Sequence, residues 1–169
     1  MKDFHVLIVE DDTQLQEIYE QSLIPLQVKT FLASDGKEAL ERCSSQPMDL
    51  ILTDLSLPLM DGLEFVEQLR HHGQETPVIV LSGYGTEDNL LRALRLGVMD
   101  FISKPVSIDL LESTVSRFRE VVERRRKVVE LELRCFKDPS DAESRKLLER
   151  ENRMIRLLLL DHHRKRSAS

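Results

Sequence analysis

The sequence contains no tryptophan and only two cysteines, Cys43 and Cys135, among its 169 residues. The cysteines lie far apart without paired spacing, which argues against a disulfide framework or a zinc site and favours a reducing, cytoplasmic compartment. No apolar run approaches the roughly 18 residues of a membrane span. An acidic cluster directly follows the short N-terminal apolar run, so we do not expect this segment to be a signal peptide.

Glycine and proline are nearly absent from the C-terminal part of the chain. All 6 glycines and 5 of the 6 prolines precede residue 118. The charge divides at the same place, because residues 1–118 carry a net charge of −11 and residues 119–169 carry +5. We therefore predict a domain over residues 1–120 and an extension of different character over residues 121–169.

The first part alternates between strand-like and helical patterns. The strand-like runs are HVLIV (5–9), VKTFL (28–32), DLILT (49–53), PVIVL (77–81) and DFIS (100–103). Several are continuously apolar, which indicates strands buried on both faces and hence a parallel sheet. Residues at helical spacing separate the runs, so the pattern predicts a doubly wound α/β domain with five strands and helices on both faces of the sheet.

The second part contains no strand signal. A helix that begins near Ser107 meets no glycine or proline before Pro139, so we expect this extended fifth helix to continue to about residue 137. Asp138 can cap a further C-terminal helix and Pro139 can occupy its first turn, which predicts a second helix over residues 139–163. The basic segment RKRSAS after it is expected to be frayed.

Apolar residues recur at near-heptad spacing on both predicted helices of the extension. The members are Val115, Phe118, Val122 and Val129 in one stripe of the first helix, Val121, Val128, Leu131 and Cys135 in another, and Leu148, Asn152, Ile155 and Leu159 on the second helix. Such stripes predict pairing with a second copy or another helical partner, as in a coiled coil. A hairpin folded back on the first domain is the alternative. Acids interrupt the basic runs and no aromatic residues accompany them, which argues against nucleic-acid binding.

Polar residues come directly after the predicted strands of the first domain. Glu10 and Asp11 follow strand one, Asp54 follows strand three, Ser82 follows strand four and Lys104 follows strand five. The carboxyl ends of parallel strands share one edge of a sheet, so these side chains are expected to meet there. Clustered carboxylates repel unless a cation lies among them, and oxygen ligands favour Mg²⁺. An aspartate in this setting can accept a phosphoryl group.

Four motifs in this order resemble the receiver domain of two-component response regulators. They are EDD after an apolar strand, TD followed by LPLMDG, a serine after VIVL, and SKP after DFI. The resemblance covers roughly residues 3–120 and implies a flavodoxin-like sheet with strand order 2-1-3-4-5. It also implies that Asp54 receives a phosphoryl group from a sensor histidine kinase or a phosphotransfer protein.

The resemblance assigns a role to each residue of the cluster. Glu10, Asp11, Asp54 and the backbone carbonyl of Ser56 would hold Mg²⁺, Ser82 would be the switch hydroxyl, Phe101 the switch aromatic, and Lys104, with a cis bond to Pro105, the lysine that binds the phosphoryl group. The bulky Tyr84 stands beside this site, where we expect it to screen water.

These features predict a phosphorylation-dependent signalling switch, which catalyses only its own phosphorylation and dephosphorylation. Its output would be dimerisation or another protein–protein interaction through the helical extension. A fragment of a larger regulator without its effector domain, and a receiver that signals without phosphate, are the alternatives. A phosphohydrolase of the haloacid dehalogenase type is disfavoured, because Ser56 stands where that class needs a second acid.

Overall fold

The computed structural model describes residues 3–83 and 85–166, with side chains up to residue 160. The chain divides into two compact units, Met1–Val115 and Ser116–Ser169. The boundary falls inside a helix, a few residues before the predicted end of the first domain. Tyr84, which was expected to screen water, lies outside the described residues. The last three residues of the predicted frayed tail, 167–169, also lie outside them.

The first unit alternates strands with helices, as the sequence predicts. Its elements are β1 (His5–Val9), α1 (Thr13–Leu23) with a short 3₁₀ turn (Ile24–Leu26), β2 (Lys29–Ala33), α2 (Gly36–Ser45), β3 (Leu50–Asp54), α3 (Gly62–His71), β4 (Val78–Ser82), α4 (Glu87–Arg95), β5 (Asp100–Ser103) and the start of α5 (Ile108–Lys137). Three of the strands begin one residue later than predicted. As a result, Asp54 and Ser82 are the last residues of their strands.

The five strands form one parallel sheet in the order β2-β1-β3-β4-β5. The predicted fold class and strand order are therefore confirmed. The register sets Val9 opposite Thr53, Asp54 opposite Leu81 and Ser82 opposite Ser103. The ends of β1, β3, β4 and β5 consequently lie side by side at one edge of the sheet.

The central strands carry the core of this unit. All five residues of β3 and of β4 are buried, as are four of the five in β1. Helix α3 adds Leu63, Phe65, Val66 and Leu69, each of them fully buried. Each such aliphatic or aromatic side chain stabilises the fold by about 1.5–3 kcal/mol relative to an exposed one. This rigid core fixes the strand ends that bear the polar residues.

Two long helices follow, α5 (Ile108–Lys137) and α6 (Ala142–Arg166). The second helix begins later than predicted, because Asp141 rather than Asp138 caps it by accepting a hydrogen bond from the Ser144 backbone N–H (2.9 Å). Asp138 instead accepts from Ser140 in the preceding turn. The helix also continues into the segment expected to be frayed. None of the described helices is long and apolar enough to cross a membrane.

A buried carboxylate, Glu151, joins the two long helices. Its Oε2 accepts from Arg124 Nη1 (2.6 Å) and its Oε1 from Lys127 Nζ (3.1 Å), so one residue of α6 neutralises two cations of α5. The α6 stripe was predicted to contain Asn152 as its polar member. Within the chain Asn152 is exposed, whereas the neighbouring Glu151 is buried.

The ion pairs of Glu151 should make the α5–α6 pairing sensitive to acid. Burial alone would raise the pKa of Glu151, but the hydrogen bonds from Lys127 and Arg124 outweigh it and lower the pKa. Its stabilising contribution is therefore complete above the ordinary glutamate pKa of about 4.5 and is lost as the pH falls through the lowered value. Hydrogen exchange of α6, corrected for intrinsic rates, should show protection declining across this acid range.

The substitution Glu151→Gln should weaken the pairing by about 1–2 kcal/mol near neutral pH and remove this part of the acid sensitivity. The exposed Glu149, two residues earlier, provides the matched control. Equal acid profiles for Glu151→Gln and Glu149→Gln would contradict a stabilising role for the buried ion pairs.

Candidate functional site

The structure brings the predicted site residues to one edge of the sheet. Glu10 and Asp11 directly follow β1, Asp54 ends β3, Ser82 ends β4 and Lys104 directly follows β5. The neighbouring registers of these strands place their ends together although the residues are up to 94 positions apart. The edge thus combines three carboxylates, a hydroxyl and an ammonium group.

Lys104 links the two buried acids of the cluster. Its Nζ donates to Glu10 Oε2 (2.7 Å) and to Asp54 Oδ2 (2.8 Å). Glu10 is only 2% exposed and Asp54 6%, so water does little to solvate either carboxylate. Charge-assisted hydrogen bonds at these distances are among the strong ones in proteins. The positive charge of Lys104 therefore compensates the negative charges of the two buried carboxylates, Glu10 and Asp54.

The pKa values of Glu10 and Lys104 reflect two opposing effects, burial and the attraction between their charges. Burial raises the pKa of Glu10, against the lowering effect of the hydrogen bond from Lys104. For Lys104, burial acts to lower the pKa, but the hydrogen bonds to Asp54 and Glu10 outweigh it and raise the pKa. The ammonium group consequently stays protonated at neutral pH. For Glu10, burial outweighs the lowering effect of Lys104, so the pKa of this carboxyl is raised.

Glu10, Asp11 and Asp54 are close enough together to bind a metal ion. Each offers one carboxylate oxygen, and the three oxygens lie within 4.8 Å of one another. Asp11 is exposed, so solvent and a ligand can reach the group from its side. Three hard oxygen donors with room for water match the coordination that Mg²⁺ prefers. The donor set therefore fits this ion.

The loop between β3 and α3 closes over Asp54. The backbone N–H of Ser56 donates to Asp54 Oδ1 (3.2 Å), while the Ser56 side chain is exposed. Asp54 thus uses one carboxylate oxygen for Lys104 and the other for the loop. These contacts fix the rotation of its side chain and hold the carboxylate in place for chemistry.

Of the two predicted switch residues, Ser82 lies at this edge, and Phe101 lies two residues before the end of β5. Ser82 is 1% exposed, and its carbonyl oxygen accepts from the Lys104 backbone N–H (2.7 Å). Phe101 is half-buried on the neighbouring strand, where a Cβ added to Gly85 would lie 3.0 Å from its Cε1. The ring therefore packs against the loop after Ser82. The Lys104–Pro105 peptide bond is cis.

Two residues that support the site carry no obvious signal in the sequence. Gln16 of α1 is buried, and its side-chain Nε2 donates to the carbonyl oxygens of Glu10 (2.6 Å) and Ala33 (2.8 Å), which ties the ends of β1 and β2 together. A polar residue inside the apolar pattern of α1 is the only local hint of this role.

Gly62, the first residue of α3, is the second of these supports. A Cβ built on it would overlap the Asp54 carbonyl oxygen and would lie 3.1 Å from Thr53 Oγ1. The backbone N–H of Gly62 also donates to the Leu55 carbonyl (3.0 Å). The start of α3 thus packs directly on the backbone of Asp54.

Comparison with known proteins agrees with this geometry. The family model described as "Response regulator receiver domain" matches residues 6–116. The response regulator protein PilR of Pseudomonas aeruginosa is 36% identical over 110 residues, which are 65% of this chain and 25% of that protein. The Regulator of RpoS of Escherichia coli is 37% identical over 117 residues, which are 69% of this chain and 33% of that protein. The chain therefore spans about a quarter to a third of the length that these relatives have.

Solved structures share the fold. The receiver domain of the Francisella response regulator 1452 superposes with a TM-score of 0.66 at 31% identity, covering 73% of this chain and 99% of that one. The chemotaxis protein CheY4 of Vibrio cholerae gives a TM-score of 0.65 at 26% identity, with 69% and 99% covered. In both cases almost the whole solved chain matches, while about 30% of this chain has no counterpart there.

The close packing of Gly62 on Asp54 leads to a stability prediction. Gly62→Ala should lower the free energy of unfolding by about 1–3 kcal/mol, because the added methyl group forces the loop and the Asp54 backbone apart. Urea denaturation measures this loss. Gly83→Ala is the matched control, since nothing lies within 4 Å of a Cβ there and its φ is not positive. Equal stability of the two variants would show that the packing at Gly62 does not constrain the site.

Leu59, in the loop after Asp54, has a left-handed backbone conformation. Its φ is +67° although its side chain is 90% exposed, so side-chain packing does little to offset the strain. Leu59→Gly should therefore be about 1 kcal/mol more stable than Leu59→Ala, which keeps the Cβ. At an ordinary backbone conformation the order is reversed. Thermal unfolding of the two variants tests the sign, and a more stable alanine variant would contradict the strained conformation.

Proposed function

The chain belongs to the response regulator receiver family over residues 6–116, and on this basis we propose that it is a signalling switch that accepts a phosphoryl group on Asp54. The donor would be a phosphohistidine of a sensor kinase or of a phosphotransfer protein. Like other receivers, the chain would catalyse only its own phosphorylation and dephosphorylation. Because the chain spans only about a quarter to a third of the length of these relatives, its output is proposed separately below.

The observation that carries this proposal is the position of the Lys104 ammonium group. It lies 2.8 Å from Asp54 and 2.7 Å from Glu10, with Asp11 completing the carboxylate cluster. Phosphoryl transfer needs an in-line nucleophile and neutralisation of the equatorial oxygens. Asp54 supplies the nucleophile and Lys104 supplies one of the neutralising charges.

In the transfer step, an Asp54 carboxylate oxygen forms a bond to phosphorus as the phosphorus–nitrogen bond to the donor histidine breaks. The electron pair of that bond returns to the imidazole. Lys104 then shifts its hydrogen bond from the carboxylate to a phosphoryl oxygen, and the Ser82 hydroxyl donates to another. Because Phe101 packs on the loop after Ser82, a movement of Ser82 changes the surface that Phe101 borders. This change is a population shift between two states of the unit.

A divalent cation is part of the proposed site. Asp11, Asp54 and, as the expected third protein ligand, the backbone carbonyl of Ser56 would hold Mg²⁺, with Glu10 acting through a water molecule. When bound, Mg²⁺ offsets the negative charge of the carboxylates and of the incoming phosphoryl group. The burial of Glu10 and Asp54, which share the ammonium group of Lys104, supports this assignment.

For the output, we propose that the two long helices bind a second copy or another helical partner. Helix α5 carries exposed apolar residues, such as Leu133 and Phe136, which support this proposal. We propose a cytoplasmic location, which is in keeping with two free cysteines. A larger regulator from which an effector domain is missing, and a receiver that signals without phosphate, are the alternatives.

Phosphoryl acceptance predicts a gain in mass. Incubation with acetyl phosphate and Mg²⁺ should add one phosphoryl group to the wild-type chain and none to Asp54→Asn, because the amide is a poor nucleophile. Intact-mass spectrometry detects the adduct. Asp12→Asn is the matched control, since Asp12 is an exposed cap of α1 and lies outside the cluster. Labelling of Asp54→Asn, or no labelling of the wild type under conditions that label a control receiver, would contradict the proposal.

Metal binding predicts a gain in stability. Mg²⁺ at about 100 times its dissociation constant should stabilise the folded chain by about 2.7 kcal/mol, measured as a rise in the unfolding temperature. Asp11→Asn should remove most of this effect by deleting the exposed ligand, and Asp12→Asn should retain it. A similar response to Mg²⁺ in both variants would place the ion elsewhere.

A further inference from the structure

Helix α5 has an apolar stripe on a different side from the one that pairs with α6. The stripe consists of Val122, Arg126, Val129, Leu133 and Phe136, which alternate at spacings of four and three residues. Val129 is 55%, Leu133 57% and Phe136 85% exposed. At 100° per residue these positions lie within one sector of the helix.

The side of α5 that pairs with α6 is marked by the ion pairs of Arg124 and Lys127 with Glu151. Leu131, from the same side, is only 3% exposed. The stripe is therefore not covered by α6. Three large apolar side chains in a row at coiled-coil spacing form a seam that water solvates poorly.

The charges that flank the stripe match a parallel, in-register copy of the same helix. In a parallel two-stranded coiled coil, the residue before every second seam position, here Arg126 and Leu133, faces the residue five places later on the other helix. Arg125 would face Glu130 of the second copy, and Glu132 would face Lys137. In each of these pairs the two residues have opposite charges. Because the dimer is symmetric, each pair occurs twice. Within one chain, Glu130 already accepts from Arg134 (2.7 Å), an exposed contact that can exchange.

An antiparallel arrangement matches the charges less well. The antiparallel register that covers all three exposed apolar residues pairs Val129 with Leu133 of the copy. It sets Glu130 opposite its own copy, so two carboxylates would meet beside the seam. Like charges across a helix pair are destabilising, which favours the parallel arrangement.

We propose that the stripe Val122–Phe136 binds a second copy of this chain as a parallel, in-register two-stranded coiled coil. Arg126 occupies one seam position, where its long aliphatic stem can pack against apolar neighbours. A single polar seam residue fixes register and favours a dimer at some cost in stability. The signalling role of this dimer rests on the proposed function, whereas its existence does not require phosphate.

The first test is the mass of the full chain by light scattering, without a phosphoryl donor. The wild type should dimerise, and Leu133→Glu should raise the dissociation constant of the dimer at least about 100-fold, because it places two carboxylates in the seam. Leu157→Glu on α6 is the matched control: Leu157 is 53% exposed against 57% for Leu133, but lies off the stripe. Circular dichroism checks that both variants keep their helices.

The second test determines orientation. In a background of Cys43→Ala and Cys135→Ala, Val129→Cys should form an interchain disulfide under mild oxidation, because equivalent seam residues face each other only in a parallel, in-register pair. Leu157→Cys should not. Arg125→Glu should weaken the dimer, and Glu130→Arg added to it should restore the wild-type dissociation constant, since the pair is then reversed but intact.

A monomeric wild type, a dimer insensitive to Leu133→Glu, or failure of Val129→Cys to cross-link would each overturn the inference. These outcomes are separate from the phosphorylation test. A dimer that accepts no phosphoryl group would contradict the proposed function and support the coiled coil. A monomer that is phosphorylated would support the proposed function and contradict the coiled coil.

Discussion

The hydrogen-bonded bridge from Lys104 to Glu10 and Asp54 is the interaction on which the first unit depends. The two carboxylates are nearly inaccessible to water, and burying them without a cation would be costly. The same ammonium group that makes their burial tolerable also stands where a phosphoryl group would arrive. On the proposed function, stability and phosphoryl transfer would both rely on this one side chain, which reaches its partners from the end of β5.

Backbone packing around this bridge explains why the acids keep their positions. Gln16 ties the end of β1 to the end of β2, and Gly62 lets the first turn of α3 lie against Asp54. The strands therefore cannot shift along one another without breaking these contacts. A carboxylate held in this way needs little rearrangement before it reacts, which is how a preorganised site lowers an activation barrier.

The parallel sheet and the residues gathered at its edge could be predicted from the sequence pattern, and the strand order from the resemblance to receiver domains. Continuous apolar runs mark buried strands, and the carboxyl ends of parallel strands bring the residues after them together. The role of Gly62 could not be predicted, since its close approach to Asp54 crosses a loop that no local pattern describes. The burial of Glu151 could not be predicted either, because it depends on the positions of Arg124 and Lys127 on α5, which no pattern within α6 indicates. The cap at Asp141 could not be predicted either, because it depends on the turn in which Asp138 bonds to Ser140.

Helix α5 runs without interruption from Ile108 to Lys137 across the boundary between the two units. In a continuous helix, one inserted residue turns every later residue by about 100° and advances it by about 1.5 Å, whereas seven residues restore the facing direction to within about 20°. The coupling between a receiver and the helix that extends from it should thus tolerate length changes in steps of about seven.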